Sequence, residues 1–120
     1  MNLWEKLQIR RGTTVAILNA PTDAPAVQGP FDATDGPGAA DAVLLYARNS
    51  DELASQGAPV VSAAREDRLA WIAYPKAKKL GTDLNRDILA REMTAHGADP
   101  VRQVSLDDTW SALRFRPASR

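Results

Sequence analysis

Three short apolar runs, residues 15–18, 42–47 and 69–74, constrain the fold more than any other feature of the chain. They are rich in β-branched, leucine and aromatic residues and lack polar alternation, which is the pattern of strands buried on both faces. Such strands are usually parallel, and parallel neighbours require a crossover between them. If all three run the same way, Asn19 and Tyr74 emerge along one rim of the sheet.

Two later segments differ in kind. Residues 101–106 interleave apolar positions with Arg102, Gln103 and Ser105, and residues 110–116 set Leu113 and Phe115 against Ser111, Arg114 and Arg116. One face of each is expected to meet water. Asp107-Asp108-Thr109 between them has turn chemistry, so an antiparallel hairpin closes the sheet.

The connections read less uniformly. Asn2 with Glu5 three residues on is a capping-box signature, and Leu3, Trp4 and Leu7 repeat at helical spacing up to Gly12. Ser50-Asp51-Glu52 opens a helical segment interrupted by Gly57 and Pro59, with a second short turn reaching Arg65. The clearest helix spans residues 82–97, with Thr82 as N-cap, Asp83 in the first turn, Gly97 just past the end and Pro100 beyond. On a helical wheel it places Leu84, Ile88 and Ala95 on one flank, Leu89 and Met93 on the other, and the polar trio Asn85, Glu92 and His96 between them; Asn85 and His96 sit at the helix ends, so only Glu92 wants a partner such as Arg114 or Arg116. Residues 19–41 hold four prolines, three glycines and no apolar period, the mark of a lid or binding loop. The fold class is therefore α/β: one domain over residues 1–120, three-layer and Rossmann-like, with a mostly parallel five-stranded sheet that ends in an antiparallel hairpin and is flanked by helices.

Composition narrows the chemistry. A chain of 120 residues can bury roughly 65% of its unfolded surface unaided. The absence of cysteine removes disulfides, thiolate nucleophiles and iron–sulfur clusters, and a single histidine removes the usual zinc constellations. Fifteen basic and fifteen acidic residues cancel, so no global field draws the chain to nucleic acid. No apolar run approaches the roughly 20 residues of a membrane span, and the charged opening Met-Asn-Leu-Trp-Glu-Lys-Leu is unlike a signal peptide. A cytoplasmic location without membrane attachment is the expectation.

Charge is nonetheless segregated. Between Gly12 and Ala47 there is no lysine or arginine, while Asp23, Asp32, Asp35 and Asp41 all fall there. Lys76, Lys78 and Lys79 gather the opposite sign after the strand that ends Tyr74-Pro75. A strand end, ammonium groups and the helix N-terminus expected at Thr82 together suit an anion. The candidate ligand-binding set is Asn19, Tyr74, Lys76, Lys78, Lys79 and Thr82. The competing reading has these lysines facing the acidic 19–41 segment across the rim, or simply hydrating a loop.

Other motifs read as structure. Tyr74 and Lys78 spell Tyr-x-x-x-Lys, but Pro75 stands between them and no glycine-rich nucleotide loop accompanies the pair. His96 sits in a last helical turn, where imidazolium complements the dipole. Ser111 has no nucleophile elbow around it. Trp4, Trp71 and Trp110 read as core or rim aromatics.

The run Lys6-Leu-Gln-Ile-Arg-Arg-Gly12, the strand end Trp71-Ile-Ala-Tyr-Pro-Lys76, Thr82-Asp83-Leu84 and Asp108-Thr109-Trp110-Ser111 together resemble a family of small bacterial proteins known as a domain of unknown function. The order of elements is also similar to a class I methyltransferase stripped of its second and third strands. That likeness implies the strand order first, second, third, fifth, fourth. It does not carry the methyltransferase site, because Asn19-Ala20-Pro21 stands where glycines let the backbone approach S-adenosylmethionine, and the strand bearing the ribose-binding acid is missing. The resemblance thus implies a scaffold and no cofactor. The expected function is a non-catalytic binding or assembly module. If the first strand lies at an edge, its backbone needs covering by the proline-rich crossover or by another subunit, and a weak or moderate homodimer is the expectation. The alternative is a small enzyme or sensor that holds a phosphate- or carboxylate-bearing metabolite at the C-terminal edge of the sheet.

Overall fold

In the computed structural model, which describes residues 2–118, the chain runs α1 (Leu3–Lys6), β1 (Thr14–Leu18), β2 (Asp32–Ala33), β3 (Ala42–Tyr46), α2 (Ser50–Gln56), α3 (Ala58–Arg65), β4 (Leu69–Pro75), a 3₁₀ turn (Lys79–Gly81), α4 (Arg86–Ala95), β5 (Ala98–Ser105) and β6 (Trp110–Pro117). The strands form one mixed six-stranded sheet in the order β2-β1-β3-β4-β6-β5. The three apolar runs are its parallel heart, in the register Leu18↔Leu45 and Tyr46↔Ala73, so Asn19 and Tyr74 do leave on a common rim. β6 then pairs antiparallel with both β4 and β5.

The sixth strand corrects the expected count of five. The proline-rich crossover returns alongside β1 and pairs Thr14 with Asp32 and Val15 with Ala33. Two residues without apolar periodicity leave no signal in a sequence. What holds them is the unsatisfied edge of β1: Asp32 N–H donates to Thr13 O at 2.8 Å and Thr34 N–H to Val15 O at 3.0 Å.

Side chains alternate between two apolar layers. On one face Val43, Leu45, Ile72, Tyr74, Leu113 and Phe115 pack with Leu53, Val60, Leu89 and Met93 of α2, α3 and α4. On the other, Leu44, Tyr46, Trp71, Trp110 and Ala112 meet Leu7, Ile9 and Val27. This second layer is built from loop, with only the four-residue α1 as helix. The 19–41 segment is thus a core cover rather than a lid. Val27 is buried, Pro25 O accepts the Tyr46 hydroxyl at 2.9 Å, and Arg48 clasps Asp23 with both terminal guanidinium nitrogens. Trp71 Nε1 donates to Leu7 O at 2.8 Å and locks the N-terminal segment onto the sheet.

Helix starts moved where capping groups competed. The capping box at Asn2 and Glu5 is present, but α1 ends at Lys6 rather than running to Gly12. α4 begins at Arg86 with Asn85 as N-cap, its side chain accepting the Ile88 N–H, so Thr82 is not the cap. The 82–85 stretch stays extended enough for Leu84 to enter the core at 2% exposure. Asp83 turns to a different helix, where its carboxylate accepts the Ser50 N–H at 2.8 Å in the first turn of α2. Gly97, at φ +90°, ends α4 as expected and feeds directly into β5. Glu92 is exposed and pairs with neither expected arginine: Arg114 Nη1 donates to Gln8, and Arg116 binds Asp67.

Candidate ligand cleft at the C-terminal edge of the sheet

The cleft follows from how β4 ends. Pro75 cannot donate to a ladder, and Lys76 N–H closes the strand on Thr109 O at 2.7 Å, so the chain leaves the sheet there. It climbs through the 3₁₀ turn, with Lys78 at φ +67°, Leu80 at φ +53° and Gly81 at φ +68°, before entering α4. Left-handed φ at two non-glycine residues costs on the order of 1 kcal/mol each and marks a turn imposed by its surroundings. Between the start of α4 and the β5–β6 hairpin lies an open cavity of about 730 Å³, lined by Tyr74, Lys76, Asn85, Arg86, Ser105 and Ser111 among others. That volume lies within the range of small-molecule sites.

Its walls carry two cations, Lys76 and Arg86, and one acid, Asp87, among neutral polar and apolar residues. Lys76 Nζ donates to Ser105 Oγ at 2.8 Å, and Ser105 Oγ donates onward to Asp107 O at 3.0 Å, which fixes the ammonium at the mouth. Arg86 opens α4 and lies 3.6 Å from Asp87, its exposed neighbour. Because Asn85 occupies only the Ile88 N–H, the earlier amides of this ten-residue helix point outward at the positive end of the dipole. Burial raises the pKa of the Tyr74 phenol; nearby Arg86 acts to lower it and Asp87 to raise it, which places both charges within electrostatic reach of the ring.

The structure divides the expected site residues. Tyr74 and Lys76 line the cleft together. Lys78 and Lys79 stand exposed on the turn, outside it. Thr82 also lies outside; its hydroxyl accepts the Leu84 N–H at 3.0 Å, and no helix begins there. Asn19 belongs elsewhere, its Nδ2 donating to Tyr46 O at 2.9 Å and Glu52 Oε1 at 3.0 Å, in the wall of a separate cavity of about 340 Å³. Two strand spacings, roughly 10 Å, separate the ends of β1 and β4. Of the acids in the crossover, Asp23 is paired with Arg48 rather than with a lysine, and the exposed Lys78 and Lys79 match the alternative in which lysines simply hydrate a loop.

The expected set did not include Arg86, Asn85 or Ser111, although Asn85 stood in the polar trio of the helical wheel and Ser111 was weighed only as a nucleophile. Asn85 carried a signal, since it caps the run Ile88-Leu89 at the usual offset. Ser111 carried none, because its place depends on the β4–β6 register that sets it directly opposite Tyr74.

Among the described residues no group of His, Asp or Glu is placed to hold a metal ion, and no helix is long and apolar enough to cross a membrane. No protein-family model matches the chain, and no curated protein matches it.

Proposed function

We propose that the protein is a non-catalytic binding module, a reduced three-layer Rossmann-like scaffold of methyltransferase type, that holds a small phosphate- or carboxylate-bearing metabolite in the cleft between β4, the hairpin and α4. One observation carries this reading: Tyr74, Lys76, Arg86 and the first turn of α4 converge on a single cavity of about 730 Å³ at the C-terminal edge of the sheet. Crevices outside the carboxyl ends of parallel strands are where α/β sheets bind ligands. Ligand specific for the folded state at 100 times its dissociation constant raises stability by about 2.7 kcal/mol. A thermal-shift screen over sugar phosphates, nucleotides and carboxylates is expected to give such a rise with at least one anion and to lose it in Lys76→Glu. A panel without any shift, or a shift that survives Lys76→Glu, contradicts the reading.

The homodimer expected from the sequence has a narrower basis. β2 covers Thr14 and Val15, leaving the outer edge of β1 from Ala16 onward. The opposite edge strand, β5, is broken by a register shift between Pro100 and Arg102, a device that discourages edge-to-edge pairing. A monomer mass by light scattering at high concentration removes the dimer.

A further inference from the structure

We infer that the cleft is a phosphate site, selecting a phosphate monoester over a carboxylate of the same body. This rests on the anion-binding reading above and narrows its ligand class. The observation behind it is a pair of unpartnered hydroxyls, carried on two buried side chains, of which the expected site contained only Tyr74. Tyr74 is 2% exposed and Ser111 3% exposed, and the two are cross-strand neighbours on one face of the β4–β6 pair. Neither hydroxyl has a hydrogen-bond partner among the described residues, and neither oxygen is sealed from the cavity. They also differ from the sealed orphan atoms of this fold, Trp110 Nε1 and Arg114 Nε. Both side chains line the cleft, so the space in which a partner would sit is the cavity itself.

The donors around that space exceed what a carboxylate can accept. The amides of Arg86 and Asp87 are free of acceptors among the described residues, since the Asn85 cap takes only Ile88. The Lys76 ammonium spends one proton on Ser105. The Arg86 guanidinium has its nearest acid at 3.6 Å. The residues that line this one cavity thus bring two amides, two hydroxyls, an ammonium and a guanidinium. A carboxylate offers two oxygens and one charge, whereas a phosphate monoester offers three strongly accepting oxygens and close to two charges. Asp87 is the one acid in the lining, and with its side chain 84% exposed it lies toward the mouth, where hydroxyls of the ester's organic part are better neighbours than the phosphate.

The test compares glycerol phosphate with glycerate, which share a dihydroxyethyl body and carry a phosphate ester or a carboxylate at the third carbon, by calorimetric titration, with inorganic phosphate as a third probe. Glycerol phosphate is expected to bind at least about tenfold more tightly than glycerate near neutral pH, the scale of one additional charge-assisted hydrogen bond. Lys76, Arg86, Asp87 and Tyr74 are the titratable groups facing the cleft, and the chain's one imidazole, His96, stands at the far end of α4. The advantage should therefore shrink as the pH falls through about 6, where a phosphate monoester takes up its second proton. Arg86→Gln and Ser111→Ala should each weaken glycerol phosphate binding about fivefold to tenfold, while Lys79→Gln leaves it unchanged. Arg86 is exposed, so its variant reads the site even if Ser111→Ala fails to fold. Glycerate binding as tightly as glycerol phosphate, with both weakened by Arg86→Gln, overturns the phosphate assignment and leaves the anion-binding reading standing. Binding of neither overturns both, and phosphate binding indifferent to Arg86→Gln and Ser111→Ala places the ligand elsewhere and overturns the assignment.

Discussion

Tyr46 and Tyr74, the only tyrosines of the chain, are both buried, and their protonation ties stability to alkaline pH. Burial, with help from the Asp107 carboxylate, pushes the Tyr46 phenol up to about 12, and burial raises Tyr74 as well. A folded pKa above the unfolded value of about 10 contributes stability that is complete below pH 10 and is lost as the pH rises toward 12. Tyrosinate absorbance should therefore lag behind free tyrosine and appear together with unfolding; absorbance that develops near pH 10 in a folded protein contradicts the burial. Asp83 works in the opposite direction. Hydrogen bonds from the Ser50 backbone and side chain hold its carboxyl below the usual range, so its contribution is present above the unfolded value of about 3.9 and disappears as the pH falls through the lower folded one. Asp83→Asn should flatten the acid limb of a stability-against-pH curve, and an unchanged limb removes the α2 contact. Asp83 also shows what single residues disclose. An acid suited to a helix N-terminus was legible in the sequence, whereas the identity of the helix depended on a contact across 33 positions. Ser111 disclosed nothing, since a serine's value here is set by the tyrosine opposite it.

At the scale of elements, strands were more legible than helix starts. Continuous apolar runs announce buried strands because each residue has a face to fill, and β3 is buried throughout. Around α4 two capping candidates, Thr82 and Asn85, stand three residues apart, and local chemistry does not choose between them. The core chooses, because an extended 82–85 stretch delivers Leu84 inward. Asn85→Ala should cost about 1 kcal/mol in urea unfolding, and Asn49→Ala, which uncaps α2, a similar amount. Thr82→Ala should cost less, since its hydroxyl satisfies one amide outside any helix. The reverse ranking places the start of α4 at Thr82. The site moved with that start: lysines expected at a helix N-terminus lie on the preceding turn, and Arg86 takes their place.

For the whole molecule, the five long strands stand in the order that the resemblance implied, whereas nothing in the residues marked the layer that covers one side. Helices α2, α3 and α4 line one face of the sheet, while the N-terminal segment and the proline-rich crossover line the other. A covering built of loop has no period to read. Its attachment is local, and Trp71→Phe, which deletes the buried bond to Leu7 O, should cost about 1 to 3 kcal/mol and raise amide exchange in residues 2–12. Unchanged stability and exchange contradict that role. Amide chemical shifts followed during titration with inorganic phosphate test the cleft between β4, the hairpin and α4 most directly. Saturable shifts centred on Arg86, Asp87, Lys76 and Ser111 are expected. No saturable shift, or shifts centred on Lys78 and Lys79 or on Asn19, contradicts that expectation.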